Sequence, residues 1–159
     1  MTLDPEQLRR AMRAWTTGVA ILTASHSGET HGMTINSFNS LSLDPPMVCV
    51  TVRNETRIHH LIEHAQTFGV TVLAASQRAL AEDFAGRKHG PDRMSEVNLQ
   101  TLASGAPALT SGLASFDCRV TQTLRLGKNT MFLAEVVSAQ IHSTENPLVY
   151  HNRTYHQLK

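Results

Sequence analysis

Two histidines one helical turn apart, with a glutamate before the second, make His60-Leu61-Ile62-Glu63-His64 the loudest chemical pattern in the chain. The H-x-x-E-H spacing is that of zinc peptidases in which both imidazoles ligate the metal. Such a site needs a third protein ligand on a neighbouring helix, whereas this stretch reads as a short helix between strands. In a chain of 159 residues with nine histidines, a solvated helix face is the better reading. Ser, His and Asp are numerous enough for nominal triads, but no G-x-S-x-G elbow is present. Cys49 and Cys118 each sit inside an apolar or alternating run and read as buried thiols, with Arg119 on the face opposite Cys118. Neither a G-x-G-x-x-G after a strand nor a G-x-x-x-x-G-K-[ST] occurs, so a phosphate must be held in another way. Hydroxyls, amides and guanidinium groups beside a helix start are one such way. Thr34, Asn36, Ser37 and Ser40 offer the first part, and Arg53, Asn54, Thr56 and Arg57 the second. By composition alone turn and cap chemistry is the better reading of the same residues, with Thr56 only capping its helix. Met33 and the basic run Arg87-Lys88-His89 are equally ambiguous.

The elements that would position these residues are mostly extended. The chain starts with a helix: Asp4 caps, Pro5 takes the first position, and Leu8, Ala11, Met12 and Trp15 form an apolar stripe opposite Arg9, Arg10 and Arg13, with Gly18 ending it. Residues 18–24 and 47–52 are short apolar, β-branched runs. Between them Phe38, Leu41 and Leu43 alternate with polar residues until Pro45-Pro46 stops the pattern. A short helix over Arg57–His64 has Thr56 as its cap and Ile58, Leu61 and Ile62 as its stripe. A strand over Phe68–Leu73 leads to a second short helix, Gln77–Phe84, capped by Ser76 and ended by Gly86. Residues 86–112 read as a long surface excursion with little regular structure. Three extended stretches follow: Ala114–Leu126, Met131–Ile141, and Leu148–Tyr155 with a turn at Asn152-Arg153. Many strands and few helices predict a mainly β protein, a closed antiparallel barrel with small helices packed outside it.

Composition narrows the function classes. The length fits one domain, residues 1–159, large enough to fold without a disulfide or structural metal. A net charge of +1 argues against a broad nucleic-acid footprint. No apolar run approaches the roughly 20 residues of a membrane span, and the first residues carry no basic segment leading into an apolar one, so a cytoplasmic protein is expected.

Three blocks carry a family resemblance: Trp15-Thr16-Thr17-Gly18-Val19-Ala20-Ile21-Leu22-Thr23; His31-Gly32-Met33-Thr34-Ile35-Asn36-Ser37-Phe38 running on through Leu41-Ser42-Leu43-Asp44-Pro45-Pro46; and Pro147-Leu148-Val149-Tyr150 with Tyr155-His156. Together they resemble the short-chain flavin reductases, the reductase components of two-component flavin-dependent monooxygenases. The resemblance covers nearly the whole chain.

It implies an FMN-binding split barrel of Greek-key topology that forms a homodimer, with FMN or FAD held near the subunit interface. By the same resemblance, the segment Met33-Thr34-Ile35-Asn36-Ser37 lines the isoalloxazine ring, and Ser40 stays a cofactor-binding candidate beside it. Arg53, Asn54, Thr56 and Arg57 match the region holding the ribityl phosphate, and Phe84, Ala85, Gly86 and Arg87 a further flavin-contacting loop. NADH or NADPH passes a hydride to the flavin, so the protein needs no acid, base or nucleophile of its own. Reduced flavin then goes to a separate oxygenase component. One segment departs from the family: where many members carry G-D-H-T, associated with nicotinamide nucleotide binding, this chain reads Gly127-Lys128-Asn129-Thr130. Lys128 and Asn129 thus replace an acid and a histidine, which points either to an altered nucleotide preference or to a flavin carrier without turnover.

Overall fold

In the computed structural model, which describes residues 2–87 and 92–158, the chain runs α1 (Pro5–Met12), β1 (Thr17–Gly18), β2 (Ala20–His26), β3 (Glu29–Ile35), β4 (Asn39–Leu43), β5 (Pro46–Arg53), α2 (Arg57–Ala65) and β6 (Thr67–Val72). It continues through α3 (Arg78–Glu82), α4 (Asp92–Ser95), β7 (Leu99–Thr101), β8 (Pro107–Leu109), β9 (Ala114–Leu126), β10 (Asn129–Ile141), β11 (Leu148–His151) and β12 (Thr154–Gln157). Seven strands form one antiparallel sheet in the order β3-β2-β6-β9-β10-β5-β4. Its two edge strands are consecutive in the chain, so the crossover at residues 36–38 joins the two sides of the split.

The sheet wraps around one core, because inward residues from both of its sides meet there: Leu22 and Ile35 from one side, Val48, Val50 and Val52 from the other, with Phe68, Val70, Cys118 and Phe132 between. The stripe of α2, Ile58, Leu61 and Ile62, is buried in this same cluster, so α2 closes an end of the barrel. Thr56 caps it as the spacing predicts, accepting from the His59 amide. Cys49 and Cys118 are buried and free, and burial beside Asp117 pushes the Cys118 thiol up to about 12.

Alternation along β2 and the residue before it sends Val19 and Ile21 to a second cluster on the outer face, with Leu73, Ala81, Phe84, Leu109 and Leu148. Here the sequence reading needs correcting. Residues 86–112 are no bare excursion: they include α4 and a hairpin of β7 and β8, with Ala106, Pro107, Ala108 and Leu109 all buried. The strands escaped notice because each is three residues long, too short to show a period, and β8 is built around Pro and Ala. β8 lies so close to β6 that a Cβ on Gly69 would fall 2.1 Å from the Pro107 carbonyl oxygen.

Two helix boundaries also differ. α1 stops at Met12 rather than running to Gly18, and none of its residues is buried. Ser76 caps nothing: the turn before α3 is 3-10, with Gln77 Oε1 accepting the Ala74 amide at 2.9 Å, while the Ser76 hydroxyl donates to Glu145. A wide turn over Asp83–Arg87 follows α3, and Gly86 at φ 108° makes the bend that other residues resist.

Candidate functional site

Strand β3 presents the densest group of the candidate residues. Met33 leans on the barrel core, while Thr34 faces the other side and donates to the Ala81 carbonyl of α3 at 2.7 Å. Gly32 lets the Phe84 ring approach, since a Cβ there would sit 2.8 Å from it. β3, the start of α2 and the turn after α3 thereby enclose a cavity of about 390 Å³ lined by Met33, Thr34, Thr56, Arg57, Phe84, Ala85 and Gly86, joined by His31 and Arg93. Thr34 and Ala85 also border a recess of about 160 Å³ whose far wall is Tyr150 and Tyr155, their ring centroids 5.4 Å apart. Asn36 continues from that recess into a groove of about 550 Å³ with Ser37, Phe38, Thr17 and Trp15. Shared walls make the three a single trough along β3 and the crossover.

The polar groups along this trough have definite commitments. The Ser37 hydroxyl donates to the Thr51 carbonyl at 2.8 Å and accepts from the Thr51 amide at 3.2 Å. The Thr56 hydroxyl donates to the Arg53 carbonyl at 2.7 Å in addition to its cap, so the α2 start offers backbone N–H groups rather than a free hydroxyl. Arg57 pairs with Glu29. Asn36 is exposed, whereas Thr17 Oγ1 and Arg93 Nε are buried with no hydrogen-bond partner. Buried polar groups left unmade cost about 1–3 kcal/mol each, a cost that fold stability alone does not explain.

The remaining candidates lie elsewhere. Arg53, Asn54, Lys128 and Asn129 gather where the end of β5 meets the β9–β10 turn: Asn129 is in register with Arg53, and Asn54 accepts from Thr130 at 2.7 Å and donates to the Gly127 carbonyl at 3.0 Å. Arg53 pairs with Glu55 at 2.5 Å. None of these four borders the trough, and neither does Ser40, exposed on β4. The Arg87 side chain, Lys88 and His89 lie outside the described residues. His60 and His64 lie tilted against each other on the outside of α2 with centroids 4.2 Å apart, His64 Nδ1 facing the His60 carbonyl and Glu63 meeting Arg125.

Sequence reasoning missed His31, Arg93, Tyr150 and Tyr155 as site residues. His31 is in register with Ala24, and it falls on the inward side of β3 with Met33 and Ile35; that alternation was available. Arg93 had no such signal, coming after a Gly- and Pro-rich stretch without a period.

The molecule is a mainly β split barrel with a long polar-and-aromatic trough along its sheet edge, with Arg57 and Arg93 at one end. The chain belongs to the flavin reductase-like domain family, which matches residues 12–159. It is 34% identical over 157 residues to the NADH-dependent flavin reductase StyB of Pseudomonas fluorescens, covering 97% of this chain and 90% of the relative. Among solved structures, the flavin reductase PheA2 in its native state superposes with a TM-score of 0.90 at 32% identity, covering 99% of each chain. The NADH:FAD oxidoreductase SgcE6 of Streptomyces globisporus, in complex with NAD and FAD fragments, gives 0.89 at 32% identity, covering 100% of this chain and 97% of that one.

Proposed function

We propose that this chain is an NADH-dependent flavin reductase that reduces FMN or FAD and passes the reduced flavin to a separate oxygenase component. The observation that carries the reading is the continuous trough, walled by Tyr150 and Tyr155 in the middle and with Arg57 and Arg93 at one end, in a chain similar throughout to such reductases. The flavin supplies the hydride-accepting ring, and the protein supplies orientation. Asn36, exposed at the crossover, offers its amide to ring carbonyls and nitrogens, and Thr34, whose proton is given to Ala81, can only accept there. Met33, Phe84 and Ala85 give apolar surface, while Gly86 lets the backbone approach closely. The Ser37 bonds to Thr51 hold the crossover in place beneath these contacts.

The same reading extends to a single domain of residues 1–159, to a homodimer and to the cytoplasm. The exposed apolar face of α1 and the exposed Leu41 and Leu43 on edge strand β4 support self-association. No helix among the described residues is long and apolar enough to cross a membrane. The test is to follow NADH and NADPH consumption with FMN or FAD added. Flavin-dependent turnover is expected, and yellow binding without turnover would show a carrier instead. Light scattering should give twice the chain mass.

A further inference from the structure

The H-x-x-E-H spacing on α2 supplies rings that the trough does not use. His60 and His64 lie on the exposed side of the helix, their centroids 4.2 Å apart. His26, the half-buried last residue of β2, brings a third ring to 5.4 Å from that of His64. Strand end and helix thus share one cluster of three imidazoles.

The backbone sets the tautomer of the central ring. His64 Nδ1 lies 2.8 Å from the His60 carbonyl oxygen, and a carbonyl only accepts, so Nδ1 carries the proton and Nε2 keeps its lone pair. Metal-ligating histidines have this arrangement, donating one ring N–H to a carbonyl or carboxylate and presenting the other nitrogen to the ion. No side-chain hydrogen bond among the described residues holds the rings of His26 or His60. Two imidazoles on one tetrahedral zinc have ring centres about 5 Å apart, since each nitrogen is about 2.0–2.1 Å from the metal. His26 and His64 already have that spacing. As they stand, no three ligating side chains among the described residues converge on a metal position. The missing movement is small: His60 must swing out from His64 by about 1 Å, which an exposed side chain does by turning about its own bonds. Glu63, the general base where this motif serves a peptidase, is turned to Arg125, so the cluster fits metal binding without hydrolysis.

We propose that His26, His60 and His64 form a surface site for zinc or a similar late transition-metal ion, with water as the fourth ligand, which clips the end of β2 to α2. Imidazole ligands suit zinc, nickel and copper, whereas magnesium and calcium take oxygen ligands. Glu29, in register with His26, pairs with Arg57, which lines the trough at the start of α2. A bound ion therefore steadies the helix from which the trough takes Thr56 and Arg57. The site needs no flavin, and it stabilises the fold because only the folded chain brings strand end and helix together.

The experiment titrates the untagged full chain with Zn2+ alone by calorimetry and follows thermal unfolding at each zinc concentration. One zinc per chain is expected, with the unfolding midpoint raised by about 5–10 °C at about 100 times the Kd and restored by EDTA. His26→Ala, His60→Ala and His64→Ala should each raise the Kd at least about 10-fold, the loss that even an outer partner of a metal site brings. Without zinc these variants should unfold within about 2 °C of the parent, which separates a lost ligand from a lost fold. His156→Ala, in the separate His151–His156 pair of β11 and β12 with centroids 6.0 Å apart, should leave zinc binding unchanged. Absence of one-to-one binding overturns the site, and so does weakening by His156→Ala in place of the three. Binding that survives His26→Ala would assign the ion to the helical pair alone and overturn the clip, as would zinc uptake with no rise in the unfolding midpoint.

Discussion

Helices α1 and α2 have nearly the same grammar, each with a side-chain cap, a start signal and an apolar stripe at helical spacing. Yet one is at the centre of the molecule's packing and the other lies on its surface. Ile58, Leu61 and Ile62 of α2 are at most 1% exposed, whereas Leu8 and Met12 of α1 are 52% and 54% exposed and Trp15 just beyond is 68% exposed. Amphipathicity says that a face needs covering but not what covers it. α2 is flanked by strands only a few residues away, so short connections deliver it to the barrel end. α1 joins the fold through a single short strand, β1, which pairs with β11 rather than with the barrel, and through the Asn152 amide donating to the Arg13 carbonyl.

The largest effect that would test this contrast is core truncation. Leu61→Ala should cost about 2–5 kcal/mol in chemical denaturation, and Leu8→Ala less than about 0.5 kcal/mol in the isolated chain. A large loss at Leu8 would mean that α1 is covered in solution, and a dependence of that loss on protein concentration would identify a second copy as the cover.

Acid should separate the two ends next. His59 on α2 is buried and its pKa is lowered by burial, and that of His31 beneath α2 is lowered to about 4. Both rings are neutral in the fold but take up a proton near pH 6.5 when unfolded. Stability is therefore complete above pH 6.5 and falls as pH drops toward 4. His31→Gln should flatten part of that slope. Fluorescence of Trp15, the single tryptophan, follows the α1 side and should change less over this window than amide exchange in α2.

Capping gives a smaller contrast. Thr56→Ala should cost about 1 kcal/mol, because α2 unfolds with the barrel, while Asp4→Ala should fray α1 with almost no change in global stability. Smallest is the reach of α2 into the β9–β10 turn. Thr130 donates to Asn54 and so accepts from His59 Nε2, which ties α2 to the turn that carries Lys128. Lys128→Asp should shift the NADH-to-NADPH ratio of kcat/KM by about twofold to fivefold toward NADH, as expected for one exposed charge facing a 2′-phosphate. An unchanged ratio removes Lys128 from nucleotide selection.

Legibility in the sequence followed the same division. β5, β9, the β11–β12 turn and α2 could be read because β-branched runs, turn residues at positive φ and a Thr cap are local signals. The β7–β8 hairpin could not, because its burial comes from Gly69 and Thr23 receiving Pro107 from 38 and 84 residues away. Of the residues the resemblance named, Met33, Thr34, Thr56, Arg57, Phe84, Ala85 and Gly86 line one cavity. The resemblance also pooled Arg53, Asn54, Lys128 and Asn129, which sequence proximity to Thr56 and the family motif suggest, although a strand end and a hairpin turn carry them to a different part of the surface. His31 and Arg93 meet only in three dimensions.

The Ser37 bonds to Thr51 carry a further consequence. Just before β4 begins, at the position that continues its register along β5, the Ser37 hydroxyl performs both halves of a ladder rung, accepting one bond from Thr51 and donating the other to it. The crossover is therefore latched to β5 at that seam by a rotatable side chain rather than zipped by backbone. Ser37→Ala would leave both Thr51 groups open beside the trough, so exchange of the Thr51 amide becomes a direct gauge of how far the seam breathes and of how much an occupant of the trough holds it shut.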